Sequence, residues 1–255
     1  MRCYGRAQAI GAVASRLGLA MRILARTTVA LASLAIALGG LVPAAHANGC
    51  ITPAAGTAID PFRIQNASNL ACLMNNDTYY WGHGYYFKQT ADIDLTGQTW
   101  THGIGTTATI FDGNYDGAGH SISNLTISVS TTGSLEIGLF GQTTGAIHDL
   151  TVNGSVSATS TDNQAIVGGV IGFAGNGSIT NVAFTGSVSG TGSTQAIVGG
   201  VIGSSQASVS SSYTTAPVTG TSSAGSVIAG GFVGFIRGPS IDNVFARGNV
   251  TATAS

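Results

Sequence analysis

Charge is scarce in this chain. Nine basic and ten acidic residues make up 7% of its 255 positions. From Ser128 onward only Glu136, Asp149, Asp162, Arg237, Asp242 and Arg247 are charged. A nucleic-acid binder neutralises phosphates with a basic stripe, and no such stripe exists, so nucleic acid is excluded as a partner. Catalytic and metal signatures are missing as well. HExxH, GxSxG and a Walker loop do not occur, and His83, His102, His120 and His148 are scattered without ligand spacing. No cofactor is implied. Helical apolar spacing with caps is absent after position 130. The one long apolar run, Val29 to Val42, falls short of the roughly 20 residues a membrane helix needs and is broken by Gly39, Gly40 and Pro43.

That run fits a different role. Arg22 and Arg26 precede it and Pro43-Ala44-Ala45-His46-Ala47 follows it, giving the charged region, apolar core and Ala-x-Ala site of a secretory leader over residues 1–47. The stretch before Met21 is long for such a leader, and Met21 is an alternative start. Cleavage after Ala47 leaves Arg63, Lys88, Arg237 and Arg247 against all ten acids, a net charge of −6. It also leaves two of three cysteines, Cys50 and Cys72, an even pair that in an exported chain reads as a disulfide. The alternative, lipidation of Cys50, calls for a Leu three places upstream, where Ala47 stands.

What the chain has in abundance is glycine, 38 residues, and its spacing is regular. The last glycine of each Gly-rich apolar block falls at Gly141, Gly172, Gly203 and Gly234, 31 residues apart. Residues 164–172 and 195–203 are both QAIVGGVIG. A second apolar frame follows each block. Ile147, Leu150, Val152 and Val156 recur as Ile179, Val182, Phe184 and Val188, then as Val209, Ser212, Thr214 and Val218, and again as Ile241, Val244, Ala246 and Val250. Ile122, Leu125 and Ile127 resemble this frame 25 residues before its first copy. Short Val- and Ile-rich segments bounded by Gly, Ser, Thr and Asn read as strands, three per period. Three strands and three turns make one coil of a parallel β-helix, with equivalent residues stacked about 4.8 Å apart. The expected fold is therefore all-β, a parallel β-helix of about 31 residues per coil, right-handed because such crossovers favour that hand. A disordered Gly/Ser linker is excluded by the periodic Val and Ile, which disordered tracts lack. Glycine is expected at coil corners, supplying positive φ or close backbone approach.

Residues 48–110 are read as an N-terminal cap and lead-in, and 111–255 as the solenoid. Asn66 or Ser68 can cap a short helix reaching Met74, with Leu70, Leu73 and Met74 as its apolar face. The fourth coil stops at Ser255 with no terminal cap in sight, so an open stack edge able to self-associate, and a truncated or longer parent protein, are expected. At this point the sequence resembles bacterial surface and secreted proteins carrying the GLUG motif, described as filamentous haemagglutinin-like or adhesin-like. GGFVGFIRGPSIDNVFARGNVTATAS (Gly230 to Ser255) carries that resemblance, with GTAIDPFRI, ADIDLTG and FDGNYDGAGHSISNLTI as the lead-in. The resemblance implies architecture and surface location, with no single shared activity.

The function expected is thus a secreted or cell-surface structural, adhesin-like module without catalytic activity, its partner a host or cell-surface glycan or protein. The rival is a polysaccharide lyase or glycosidase, which would draw on Asp92 with Asp94 and Asp112 with Asp116. Against it, the repeats supply neither an acid row nor a basic row. The aromatic cluster around Tyr80, Trp81 and Tyr85 either stacks on sugars or packs the cap against the first coil. An ice-binding threonine face is not supported, because Thr126, Thr151, Thr214 and Thr251 form no regular array.

Overall fold

The computed structural model describes residues 50–51 and 54–255, so the leader reading lies outside the described residues. The chain winds into a parallel β-solenoid of about five turns with about 31 residues per turn. Its strands form one 13-stranded sheet and two four-stranded sheets. A representative coil runs along the large sheet as Ile147–Ser160, crosses one small sheet as Gln164–Gly168 and the other as Ile171–Ala174, then rejoins the large sheet at Ser178–Gly192.

Register follows the apolar frame. Ile147 pairs with Ile179, Ile179 with Val209 and Val209 with Ile241. Val156, Val188, Val218 and Val250 form a second row. On a small sheet Ala165 lies beside Ala196, and Val167 beside Val198. Apart from Ile241 and Val250 of the last coil, these side chains are at most 2% exposed. Each buried Val or Ile contributes about 1.5–3 kcal/mol relative to exposure, so the rows are the main stabilising element. β-Branched side chains suit the strands because like stacks on like without changing rotamer. On the large sheet, Ser and Thr form outward-facing rows such as Ser157, Ser189 and Thr219, and Ser187 Oγ lies 3.2 Å from Ser155 Oγ one coil away.

The third coil breaks the apolar frame with Ser212 and Thr214, both buried. Neither hydroxyl is left unpaired. Ser212 Oγ accepts from Val182 N at 3.0 Å and donates to Ser210 O at 2.7 Å. Thr214 Oγ1 donates to Phe184 O at 2.8 Å and accepts from Ala216 N at 3.0 Å. A polar residue in a core row is tolerated when its hydrogen bonds are supplied in full, as here.

Two sequence expectations need correction and one is narrowed. First, of the two roles expected of glycine, positive φ or close backbone approach, the four repeat glycines take close approach. A Cβ on Gly172 would sit 2.5 Å from Ile137 N, and one on Gly203 would sit 2.7 Å from Gly172 O. The left-handed corner belongs instead to Asp149, Asn181, Ser211 and Asn243, with φ of 54°, 53°, 52° and 50°. Asn and Asp are the non-glycine residues that enter this region most readily. Second, Ile122 pairs with Val152 and Ile127 with Val156, with a register shift between Ile122 and Leu125, while Tyr115 occupies the row of Ile147. The shift is a bulge that absorbs the residues by which this coil departs from its successors. Third, the stack does not begin at 111. Phe62–Ile64 pairs with Tyr86–Gln89, which pairs with Asn114–Asp116, so the lead-in already contributes rungs to the large sheet.

Between the first two of these rungs in the chain lies helix α1, Ala67–Asn75, capped by Asn66, whose Oδ1 accepts from Asn69 N at 3.0 Å. A shorter α2, Asp77–Tyr80, follows. Cys72 on α1 is disulfide-bonded to Cys50. At the other end, Val250–Ala254 is exposed along its whole length, and Phe245 and Ile236 are also exposed. Among the described residues no helix is long and apolar enough to cross a membrane.

Candidate functional site

Tyr80 and Trp81 of the lead-in face inward, whereas Tyr86 is exposed. Tyr80 is 2% and Trp81 4% exposed. Tyr80 meets Phe62 edge-on at 5.3 Å, and Trp81 Nε1 donates to Leu73 O at 2.9 Å. Neither ring presents a face to a sugar; both pack α1 and α2 against the first rungs, which corrects the glycan-binding assignment at Tyr80 and Trp81. Burial raises the Tyr80 hydroxyl above its ordinary pKa of 10.0. Tyr85 is half-buried, its ring edge against Phe62 at 5.3 Å.

The four acids named from the sequence each serve a backbone or side-chain donor. Asp92 Oδ1 accepts from Ser121 N at 2.8 Å and lies 3.4 Å from His120 Nδ1. Asp94 Oδ1 accepts from Asn124 Nδ2 at 2.8 Å and from Thr96 N at 2.9 Å. Asp112 accepts from Gly84 N at 2.8 Å, and Asp116 from Ala118 N at 2.7 Å. The hydrogen bond from Ser121 holds Asp92 below the ordinary carboxylate value, and that from Asn124 does the same for Asp94. A general acid requires the opposite shift. These carboxylates tie turns to neighbouring coils.

A charged corner was not foreseen as a unit. Residues at one position of successive rungs are Lys88, Asp116, His148, Thr180, Ser210 and Asp242. Lys88 Nζ lies 3.1 Å from Asp116 Oδ2, and His148 Nδ1 lies 3.6 Å from Asp116 Oδ1 and 2.8 Å from Asp149 Oδ2. The row begins with two like charges, Arg63 beside Lys88, whose repulsion the Lys88–Asp116 ion pair offsets, and further along it Thr180 and Ser210 carry no charge. Asp116, His148 and Asp149 also stand close enough to share a cation, their ligand atoms lying within 4.8 Å of one another. Imidazole with two carboxylates suits a borderline transition metal, although Lys88 competes for Asp116.

A different surface is formed on the outer faces of the two small sheets. Ile166, Ile197 and Ile228 make one row, and Phe173, Ser204 and Phe235 make the facing row. They line an open groove of about 220 Å³ running across the coils, with Gln164 and Gln195 on its rim and Arg237 at one end. Gln164 Nε2 donates to Gln195 Oε1, and Gln195 Nε2 donates to Ser226 Oγ at 3.0 Å. The Arg237 guanidinium stacks over Phe235, 5.0 Å from its centroid. The sequence signal was present in the QAIVGGVIG repeat, whose Gln and first Ile point outward while its Ala and Val point in.

Comparison with known proteins bears on the fold. Halomucin of Haloquadratum walsbyi is 32% identical over 148 residues, covering 53% of this chain and 2% of that protein. A protein of Evansella cellulosilytica provisionally named a Gly-rich membrane protein is 34% identical over 125 residues, covering 46% of this chain and 14% of that protein. The chain therefore matches only a small part of the length of either curated relative. Among solved structures, a candidate immunoglobulin A1 protease from Bacteroides ovatus superposes with a TM-score of 0.57 at 19% identity, over 83% of this chain and 73% of that one. At that identity the likeness is one of fold. The model of the GLUG motif matches residues 163–189, a span that begins beside the strand Gln164–Gly168 and follows one coil through Ile171–Ala174 into the large sheet.

Proposed function

We propose that this chain is a secreted or cell-surface structural module that is adhesin-like and non-catalytic. The observation that carries this reading is the use made of its acids. Asp92, Asp94, Asp112 and Asp116 are acceptors for turn and neighbouring-coil donors, and two of them are held below the ordinary carboxylate range. The names of the relatives, Halomucin and a Gly-rich membrane protein, are in keeping with a surface or membrane-associated location, as is the leader read in residues 1–47. A stack of identical rungs resists bending and presents its outward rows at fixed spacing, which suits display and contact.

The test is retention of the full chain, coated on beads, by arrays of glycans, matrix proteins and whole cells. Binding to at least one class, without release of reducing sugar or cleaved peptide, is expected. Product release from a polysaccharide panel that is lost on replacing Asp92, Asp112 and Asp116 would establish the enzymatic rival instead.

A further inference from the structure

The groove on the two small sheets is not a featureless apolar face. Its Phe row is interrupted: Phe173 and Phe235 flank Ser204, so that the two rings stand about 9.6 Å apart, two rung spacings, with a notch between them. Ser204 is 5% exposed, lines the groove, and among the described residues its hydroxyl makes no side-chain hydrogen bond. The hydroxyl opens onto the groove, where a ligand hydroxyl can replace water as its partner. Around it the rim offers amides that both donate and accept, Gln164 and Gln195, and the lining has one charge, that of Arg237.

We infer that this groove binds a carboxylate-bearing polysaccharide, one sugar unit seated over Ser204 between Phe173 and Phe235 and an acidic group at Arg237. The inference rests on the adhesive reading above and names its ligand. An extended peptide fits less well, for a geometric reason. The groove runs across the strands, whose backbone groups are consumed by rung-to-rung hydrogen bonds, so a peptide lying along it would find no ladder for its own amides. A sugar chain carries its polar groups as hydroxyls, which the Gln amides and the serine serve. Its apolar ring faces pack on phenylalanine. A carboxylate complements the lone arginine, which is positioned by its stack on Phe235. At about 220 Å³ the groove is below the roughly 300 Å³ of drug-sized sites, so it takes one unit of a longer chain.

The experiment is retention of the full chain on immobilised polygalacturonate, dextran and polyglutamate across a salt series. Polygalacturonate is expected to retain it most strongly, and polyglutamate, which offers carboxylates without sugar rings, at least tenfold less. Ser204→Phe, which continues the Phe row and fills the notch, is expected to weaken polygalacturonate binding at least tenfold. Ser204→Ala, which keeps the notch and removes the hydroxyl, serves as the second variant and is expected to weaken it severalfold. Arg237→Gln is expected to reduce binding to the level of dextran and to remove its salt dependence. Equal retention on polyglutamate, or polygalacturonate binding unchanged in Ser204→Ala and Arg237→Gln, overturns the groove as the site while leaving adhesion standing. No retention on any glycan, protein or cell surface overturns the adhesive reading with it.

Discussion

Asn181 Nδ2 donates to Asp149 Oδ1 across 2.6 Å, joining two left-handed corners that lie one coil apart on the large sheet. The bond does two things at once. It stabilises a backbone conformation costing about 1–2 kcal/mol for most side chains, and it draws the Asp149 carboxyl below its ordinary pKa. Asn181→Ala is expected to lower stability by about 1–2 kcal/mol and Asn181→Gly by less, since glycine enters the left-handed region freely. Denaturant unfolding of the two variants measures both effects.

The same bond sets an acid limb. Asp149 has a folded-state pKa below its ordinary 3.8, with the Asn181 hydrogen bond as the leading cause. Its contribution to stability is present above the ordinary value and is lost as pH falls through the folded one. Asn181→Ala is therefore expected to begin acid unfolding at higher pH than the parent chain, as followed by circular dichroism.

Glu136 behaves in the opposite sense. It occupies the row continued by Ile166, its Oε2 is buried without a hydrogen-bond partner, and burial raises its pKa above 4.5. Its folded state holds the proton more tightly than the unfolded chain. The stability this gives is complete below 4.5 and is lost as pH rises through the raised value. Glu136→Gln is expected to abolish that loss, so that the variant gains on the parent as pH rises. A pH series of melting midpoints for both proteins gives the difference directly.

Close packing at the glycine column is expected to be unforgiving. A Cβ at position 203 would lie 2.7 Å from Gly172 O and 2.8 Å from Ile166 Cγ2. Gly203→Ala is expected to destabilise by about 1–3 kcal/mol through overpacking. Gly133, with open space around its Cβ position, is the control and should tolerate alanine with a change within about 0.5 kcal/mol.

The Cys50–Cys72 bond ties the segment before α1 to the helix itself across a separation of 22 residues. Closing a loop of that length stabilises by about 3 kcal/mol in the chain-entropy model. Cys72→Ser is expected to lower the melting midpoint and to expose the lead-in to proteolysis first, mapped by mass spectrometry of the fragments.

The coil was legible because its signal is redundant. Val156, Val188, Val218 and Val250 announce one row, and glycines at a 31-residue interval announce another. Rows are what a parallel stack dictates, so register followed from spacing alone. The corner residues were equally periodic, Asp149, Asn181, Ser211 and Asn243, but a small polar residue in a Ser- and Asn-rich chain carries little information until its φ is known. The first coil was misaligned because a bulge at Ile122–Leu125 shifts the frame, and Tyr115, not Ile122, stands in the row of Ile147. The groove was not legible because outward Ile166, and Phe173 just after QAIVGGVIG, are apolar and read as core. Only the fold shows that Ile166 and Phe173 face each other across an outer angle.

The most direct test of the central claim couples two readouts on one sample. The full chain is held on a panel of acidic and neutral polysaccharides and surface proteins, and retention is recorded while reducing ends, unsaturated products and cleaved peptides are assayed in the same wells. Retention on a carboxylated polysaccharide with no product above the protein-free wells is the result this account predicts. Product that accumulates with time and protein concentration, or the absence of retention on every member of the panel, would contradict it.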